Sequence, residues 1–342
     1  MDRLALTDTL RGRTGESRIA LWLFLDANRW LIGGLLSVLT FAVLVAFGAA
    51  APPLGEMMGN ADPVETAFQA LIGSLITGVT LVVSINQLVL SQEIGQLGDH
   101  HQWMDEAMEF RQEVELLFGS IGPPDPAQFL QALVQTSADR AEALREAVAD
   151  NDDEELRART DRLVGNVVEN SEEIYEQLET AEFGEFSVLR SGLNYNYSWK
   201  IYAVRRLRDE HADSLEEEDF EAFEDLVEIL TLFGPALEHF KSLYFQWELV
   251  NLTRSILYAA IPALIVSLGT VLYLDPGSFP GATGGIDDVV WVVSASTALG
   301  LVPFFVLAAY VVRIATVSKR TGALGPFILR SSERTTAIDW EQ

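Results

Sequence analysis

The chain has 342 residues, 23 Lys+Arg against 50 Asp+Glu, a formal charge of −27, no cysteine and 49% apolar residues. Its mean hydropathy is positive (+0.18) despite that charge, so the apolar residues are concentrated in a few places. The absence of any thiol excludes disulfide scaffolds, cysteine-based zinc sites and cysteine catalysis.

Four runs hold most of the apolar residues: Trp30–Ala51, Ala67–Leu90, Ile256–Leu274 and Val289–Val312, each 19 to 24 residues long and free of Asp, Glu, Lys and Arg. A bilayer needs about 20 such residues per helix, so the sequence predicts an integral membrane protein with four transmembrane helices. Five segments follow from this. Residues 1–29 form a cytoplasmic N-terminal segment, 30–90 the first two spans, 91–252 an acidic helical cytoplasmic domain, 253–312 the last two spans, and 313–342 a cytoplasmic tail.

In the N-terminal segment, Ile19–Leu25 is too short to span, is followed by Asp26, and has no small-residue cleavage site after it, so no signal peptide is expected. Trp22 and Trp30 instead predict an interfacial helix leading into the first span. That span carries a short row of small residues, Gly33, Ser37, Thr40 and Gly48, interrupted by Leu44, which predicts close helix packing.

The second span has the most informative pattern. Gln69, Gly73, Thr77, Thr80, Ser84, Gln87 and Ser91 recur at intervals of three and four and form one polar or small stripe. Two uses compete: close packing against a neighbouring helix, or a water-facing, pore-lining surface. The amides of Gln69, Asn86 and Gln87 favour water, since an amide in lipid needs a partner. The stripe offers no ring of fixed charge, which predicts weak discrimination between ions of similar size.

Ser91–Leu252 carries 37 of the 50 acids and 12 of the 23 bases. Acid excess, only three lysines (Lys200, Lys241, Lys319) and no cysteine resemble the composition of salt-in halophilic archaeal proteins. The acidic surface then serves solvation in molar salt, or attracts divalent cations or basic partners. At about 1 M salt the Debye length is near 3 Å, which suppresses long-range steering. Leu163, Val164, Val167, Val168, Ile174, Tyr175 and Leu178 keep a helical period with Glu169, Glu172, Glu173, Glu176 and Glu179 between them. Helices are expected at 125–150, 153–181, 186–211 and 215–232. Breaks are expected at Gly119–Pro126, Asp150–Asp153, Phe183–Glu185, Asp213–Ser214 and Gly234–Pro235. The second span is expected to continue as helix to Phe118, and the third to begin early, from Leu237.

Within this domain Tyr195, Tyr197, Trp199, Tyr202, Arg205 and Arg206 interleave aromatic and basic side chains. The pattern fits nucleic acid, a partner or a subunit contact. Net charge argues against nucleic acid and favours a contact between subunits, helices or cytoplasmic protein partners, with a lipid-headgroup or ligand site as the alternative. Adjacent His100 and His101 point about 100° apart on a helix, and no metal site is expected from them.

The fourth span contains Pro303, which removes a backbone donor and predicts a kink. Trp247, Tyr273 and Trp291 fit an aromatic belt at the span ends. The short loops Ala51–Glu65 and Asp275–Asp288 contain no Lys or Arg, whereas the other flanks are arginine-rich, so the positive-inside rule places both termini and the middle segment in the cytoplasm of a multi-pass cell-membrane protein.

No nucleotide, hydrolase or metalloprotease signature occurs, so neither an enzyme nor a cofactor is expected. The spans hold no ionisable group except tyrosine, which disfavours proton pumps and ion-coupled transporters. The order of two spans, a cytoplasmic helical domain and two spans resembles, in architecture alone, bestrophin-type and connexin- or pannexin-like channels, which are oligomeric rings; the outer-loop cysteines of the connexin-like group are absent here. The expectation is a homo-oligomeric ion channel lined by the second span. The alternative is a non-conducting scaffold or sensor whose helical bundle binds partners.

Overall fold

The computed structural model describes Trp22 and residues 27–50, 61–93, 97–181 and 186–321. The expected interfacial helix and the break at Phe183–Glu185 lie outside these residues, as does the end of the tail. The protein is nearly all helical. Its helices are α1 (Arg29–Ala50), α2 (Ala61–Glu93), α3 (Leu97–Phe118), α4 (Pro126–Ala147), α5 (Glu154–Glu179), α6 (Phe186–Asn194), α7 (Tyr197–Glu210), α8 (Glu217–Tyr273) and α9 (Asp288–Thr321). Four of them, α1, α2, α8 and α9, are long and apolar enough to cross a membrane. The described residues fall into two compact units, one built on residues 97–245 and the other on 27–93 with 246–317.

The first unit is a helical bundle. Asp125 caps α4 by accepting from the backbone N–H groups of Ala127 and Gln128, with Pro126 in the first helical position, where its missing N–H costs nothing. Asp153 caps α5 in the same way, accepting from Glu155 and Leu156. The short connection between them folds α4 and α5 into a hairpin. Leu130, Leu133, Val134 and Leu144 of α4, and Leu156, Leu163, Val164, Val167 and Ile174 of α5, are fully buried, and the glutamates of α5 remain outside.

Two expectations about helix ends are corrected. The helix expected over 186–211 is two helices, because Asn196 adopts a left-handed conformation (φ 50°); asparagine tolerates this better than other residues with a Cβ. Conversely, α8 runs through Gly234 and Pro235, where a break was expected. Leu230, Phe233, Ala236 and Leu237 around the proline are buried, and the Tyr197 ring lies beside Gly234. Burial of that apolar turn outweighs the roughly 3 kcal/mol that proline costs inside a helix. The expected continuation of the second span is found as helix to Glu93 and again from Leu97 to Phe118, the intervening residues lying outside the description.

In the second unit α9 touches each of the other spans. Its Val306 and Val290 lie where a Cβ on Gly33 or Gly48 of α1 would stand, and Ser37 donates to the Ala298 carbonyl at 2.9 Å. Val289, Val290 and Val293 pack with Val64 and Phe68 of α2, and Val306 and Tyr310 pack with Val82 of α2 and with Leu252 and Ile256 of α8. A Cβ on Gly300 would collide with Leu71 of α2 and Ser267 of α8. Pro303 is buried within α9, which is helical on both sides of it. Between α8 and α9 the chain forms a hairpin of β1 (Ala282–Thr283) and β2 (Ile286–Asp287), turned by Gly284 and Gly285 at φ 65° and 81°. Two successive positive φ values are what a two-residue hairpin with the favoured twist requires.

The α5 cap carries a pH dependence. The backbone N–H of Leu156, then His211 at 2.9 Å, hold the Asp153 carboxyl down at about 2. Because its folded value lies below the unfolded value of about 3.9, its contribution is present above pH about 4 and is lost as pH falls toward 2. Urea unfolding midpoints followed from pH 5 to pH 2 are expected to fall less steeply in Asp153→Ala than in the native chain, starting from a lower midpoint at pH 5.

Candidate pore-lining face

Helix α2 has two opposite faces. Val64, Phe68, Leu75 and Val82 are buried against the other spans. At 100° per residue the polar stripe lies on the far side of the helix, and Gln69, Gly73, Thr77, Thr80, Ser84, Gln87 and Ser91 are all exposed. The stripe is therefore not used to pack α2 against the rest of the chain. A Cβ at Gly73 would meet nothing within 4 Å.

The hydroxyls on this face are bonded back into the helix. Thr77 donates to the Gly73 carbonyl at 2.9 Å, Thr80 to Ile76 and Ser84 to Thr80 at 2.8 Å, and Ser91 to Leu88 at 2.7 Å. With each proton committed to a carbonyl, the oxygen lone pairs are what the stripe presents outward. Gln69 donates to Glu65 Oε1 at 2.9 Å. Glu65 is exposed and sits one turn before Gln69, so the stripe begins with a carboxylate. Sequence reasoning assigned Glu65 to a loop. Its spacing of four from Gln69 was the signal that it belongs to the same face.

In the first-span row, Gly33 and Gly48 lie against Val306 and Val290 of α9, and Ser37 donates to the Ala298 carbonyl. Thr40 is half-buried and bonds to the Leu36 carbonyl of its own helix.

The aromatic and basic cluster divides. Tyr195, Tyr197 and Trp199 are buried inside the bundle, so of the contacts expected for them they make those between helices of one chain, not those of a partner or subunit surface. Tyr195 stacks on Phe233 at 4.5 Å and its hydroxyl meets Ser137 and Ser171. Burial pushes that phenol up to about 12. Lys200, fully buried, donates to Asn170 Oδ1 at 2.7 Å and to the Tyr195 carbonyl at 2.6 Å. These aromatic rings supply the apolar area that a helix of otherwise polar sequence needs to join a core. Tyr202 and Arg205 are exposed, and with Ile201, Arg206 and Glu210 they line an open groove of about 550 Å³. Arg206 donates to Glu210 at 2.6 Å. Burial raises the Glu210 carboxyl, but Arg206 and Arg159 outweigh it and the net direction is down.

Sequence reasoning missed one charged cluster entirely. Arg29 Nη2 of α1 and Arg313 Nε of α9 each lie 3.3 Å from the same Oε1 of Glu248 on α8. The Arg29 guanidinium also stands 5.8 Å from the centre of the Tyr310 ring, whose hydroxyl meets Ser255 at 3.0 Å. All three charged side chains are about nine-tenths buried or more, with exposures of 11%, 7% and 8% for Arg29, Glu248 and Arg313. Removing one member of a buried ion cluster costs about 3–5 kcal/mol, because the others stay desolvated.

Four helices long and apolar enough to cross a membrane, together with a helical bundle, point to an α-helical membrane protein. Residues 2–342 match a family of unknown function, DUF7972, and the chain belongs to that family. No curated protein and no solved structure matches it.

The two glycine environments give opposite expectations. Gly48→Leu places its side chain into Val290 and is expected to lower the thermal midpoint of the detergent-purified protein by several degrees. Gly73→Ala gains about 1 kcal/mol of helix propensity without meeting its own subunit, and is expected to leave the midpoint unchanged or raise it. Differential scanning fluorimetry of both variants checks this.

Proposed function

We propose that the chain assembles into a homo-oligomeric ring in the cell membrane and conducts ions along a pore lined by the stripe of α2. The observation that carries this reading is the exposure of that stripe opposite a well-packed apolar face. A subunit that used the stripe for its own packing would bury it, whereas symmetric copies around an axis bring one stripe from each subunit to common water. The lone pairs of Thr77, Thr80 and Ser84 then solvate permeating cations, because carbonyl-bonded hydroxyls have no proton left for an anion. Glu65 adds one carboxylate per subunit at the mouth, which replaces the weak discrimination expected from an uncharged stripe with a preference for cations.

In this reading both termini are cytoplasmic, the chain is arranged as two spans, a cytoplasmic bundle and two spans, and the loops before α2 and before α9 face outward, as their lack of Lys and Arg requires. Cysteines placed singly at Asp62 and Gly284 are expected to react with an impermeant maleimide in intact cells, and one at Asp152 is not. Labelling at 152 inverts the topology.

Conduction has its own test in reconstituted bilayers. Thr80→Trp is expected to reduce unitary current at least tenfold, whereas Leu39→Trp, on the exposed side of α1, leaves it near the native value. Glu65→Gln is expected to lower the cation-to-anion permeability ratio. A monomeric protein, or an oligomer that passes no current, sinks the proposal; the second outcome leaves a scaffold that works through its bundle.

A further inference from the structure

We infer that Glu248 is an electrostatic latch that holds the Arg29 end of the first span against α8 and α9. The carboxylate stands between two guanidinium groups supplied by different helices, each 3.3 Å from one oxygen. Arg29 and Arg313 are thus near neighbours, and in surroundings this dry like charges repel strongly. The same oxygen that joins the helices also masks a force that would part them.

The rest of α1 is attached to α9 by uncharged contacts. Val306 fills the space beside Gly33, Ser37 reaches the Ala298 carbonyl, Phe41 lies 5.8 Å from Trp291, and Val290 closes on Gly48. Little of α1 is buried otherwise, with 17% of its apolar window inside the protein against 39% for α9. Releasing the carboxylate therefore loads one end of a lightly held helix, and the Gly48 end serves as the pivot.

Two cysteine pairs read the two ends separately, and the native chain has no cysteine to interfere. A Cβ at position 48 lies 3.6 Å from the Val290 Cβ, within the range of a disulfide. A Cβ at position 33 lies 3.7 Å from the Val306 Cα, close enough to test the latch end. Gly48→Cys with Val290→Cys, and Gly33→Cys with Val306→Cys, are oxidised in native membranes with a copper–phenanthroline catalyst and the rates compared.

Glu248→Gln is expected to slow cross-linking of 33 to 306 at least fivefold and to change that of 48 to 290 by less than twofold. Adding Arg29→Gln to Glu248→Gln removes the repulsion and is expected to restore the 33 to 306 rate to within twofold of native. An unchanged rate in Glu248→Gln overturns the latch. So does an equal slowing of both pairs, which means a general packing defect, and so does a double variant as slow as the single one, which means the attraction alone mattered. None of these readings depends on whether the protein conducts.

Discussion

The span unit depends on how closely one helix backbone can approach three others. In lipid the apolar side chains gain nothing from leaving solvent, so association rests on tight contact and on satisfied polar groups. Helix α9 meets both demands. Its Gly300 admits Leu71 and Ser267 from two different helices, while its valines fill the notches that Gly33 and Gly48 leave in α1. Ser37 and Ser255 add hydrogen bonds to α9 from α1 and α8. With α2 held by its apolar side, its polar side is left outside the subunit.

The spans were legible in the sequence because a charge-free run of about twenty residues, set in a chain this acidic, suits a bilayer and little else. Helices α4 and α5 were legible too, from the breaks at Gly119–Pro126 and Asp150–Asp153 and from the amphipathic period of Leu163 to Leu178. Harder to read were positions where local and tertiary preferences disagree. Pro235 signals a break, yet it sits on the exposed side of a turn whose other side, Phe233, Ala236 and Leu237, is buried. Asn196 looked like one more helical residue, and only its backbone conformation separates α6 from α7.

The stripe illustrates a different limit. Its spacing was visible, but spacing cannot say whether a face is turned inward or outward, and the hydroxyl geometry needed coordinates. Charge near the membrane was misread for a related reason. Arg29, Glu248 and Arg313 flank the apolar runs, where charged residues usually meet water and headgroups; their convergence from three distant stretches of chain is a property of packing alone. For Tyr195, Tyr197 and Trp199 the interleaving with arginines leaves contacts between subunits, partners or helices open, and only their burial decides for the last.

The central position of α9 has a consequence for biosynthesis. Residues 97–245, which build most of the bundle, are continuous in the chain and precede the last span. The notches of α1, the apolar side of α2 and the inner side of α8 have no such independence, because the partner that fills them is translated after all three. The contacts that join α1, α2 and α8 through α9 therefore form only after Asp288–Thr321 has been made. A chain that stalls between Gly285 and Pro303 would hold the residues of the bundle but lack Val306 and Tyr310, and with them the contacts that tie Val82 of α2 to Leu252 and Ile256 of α8.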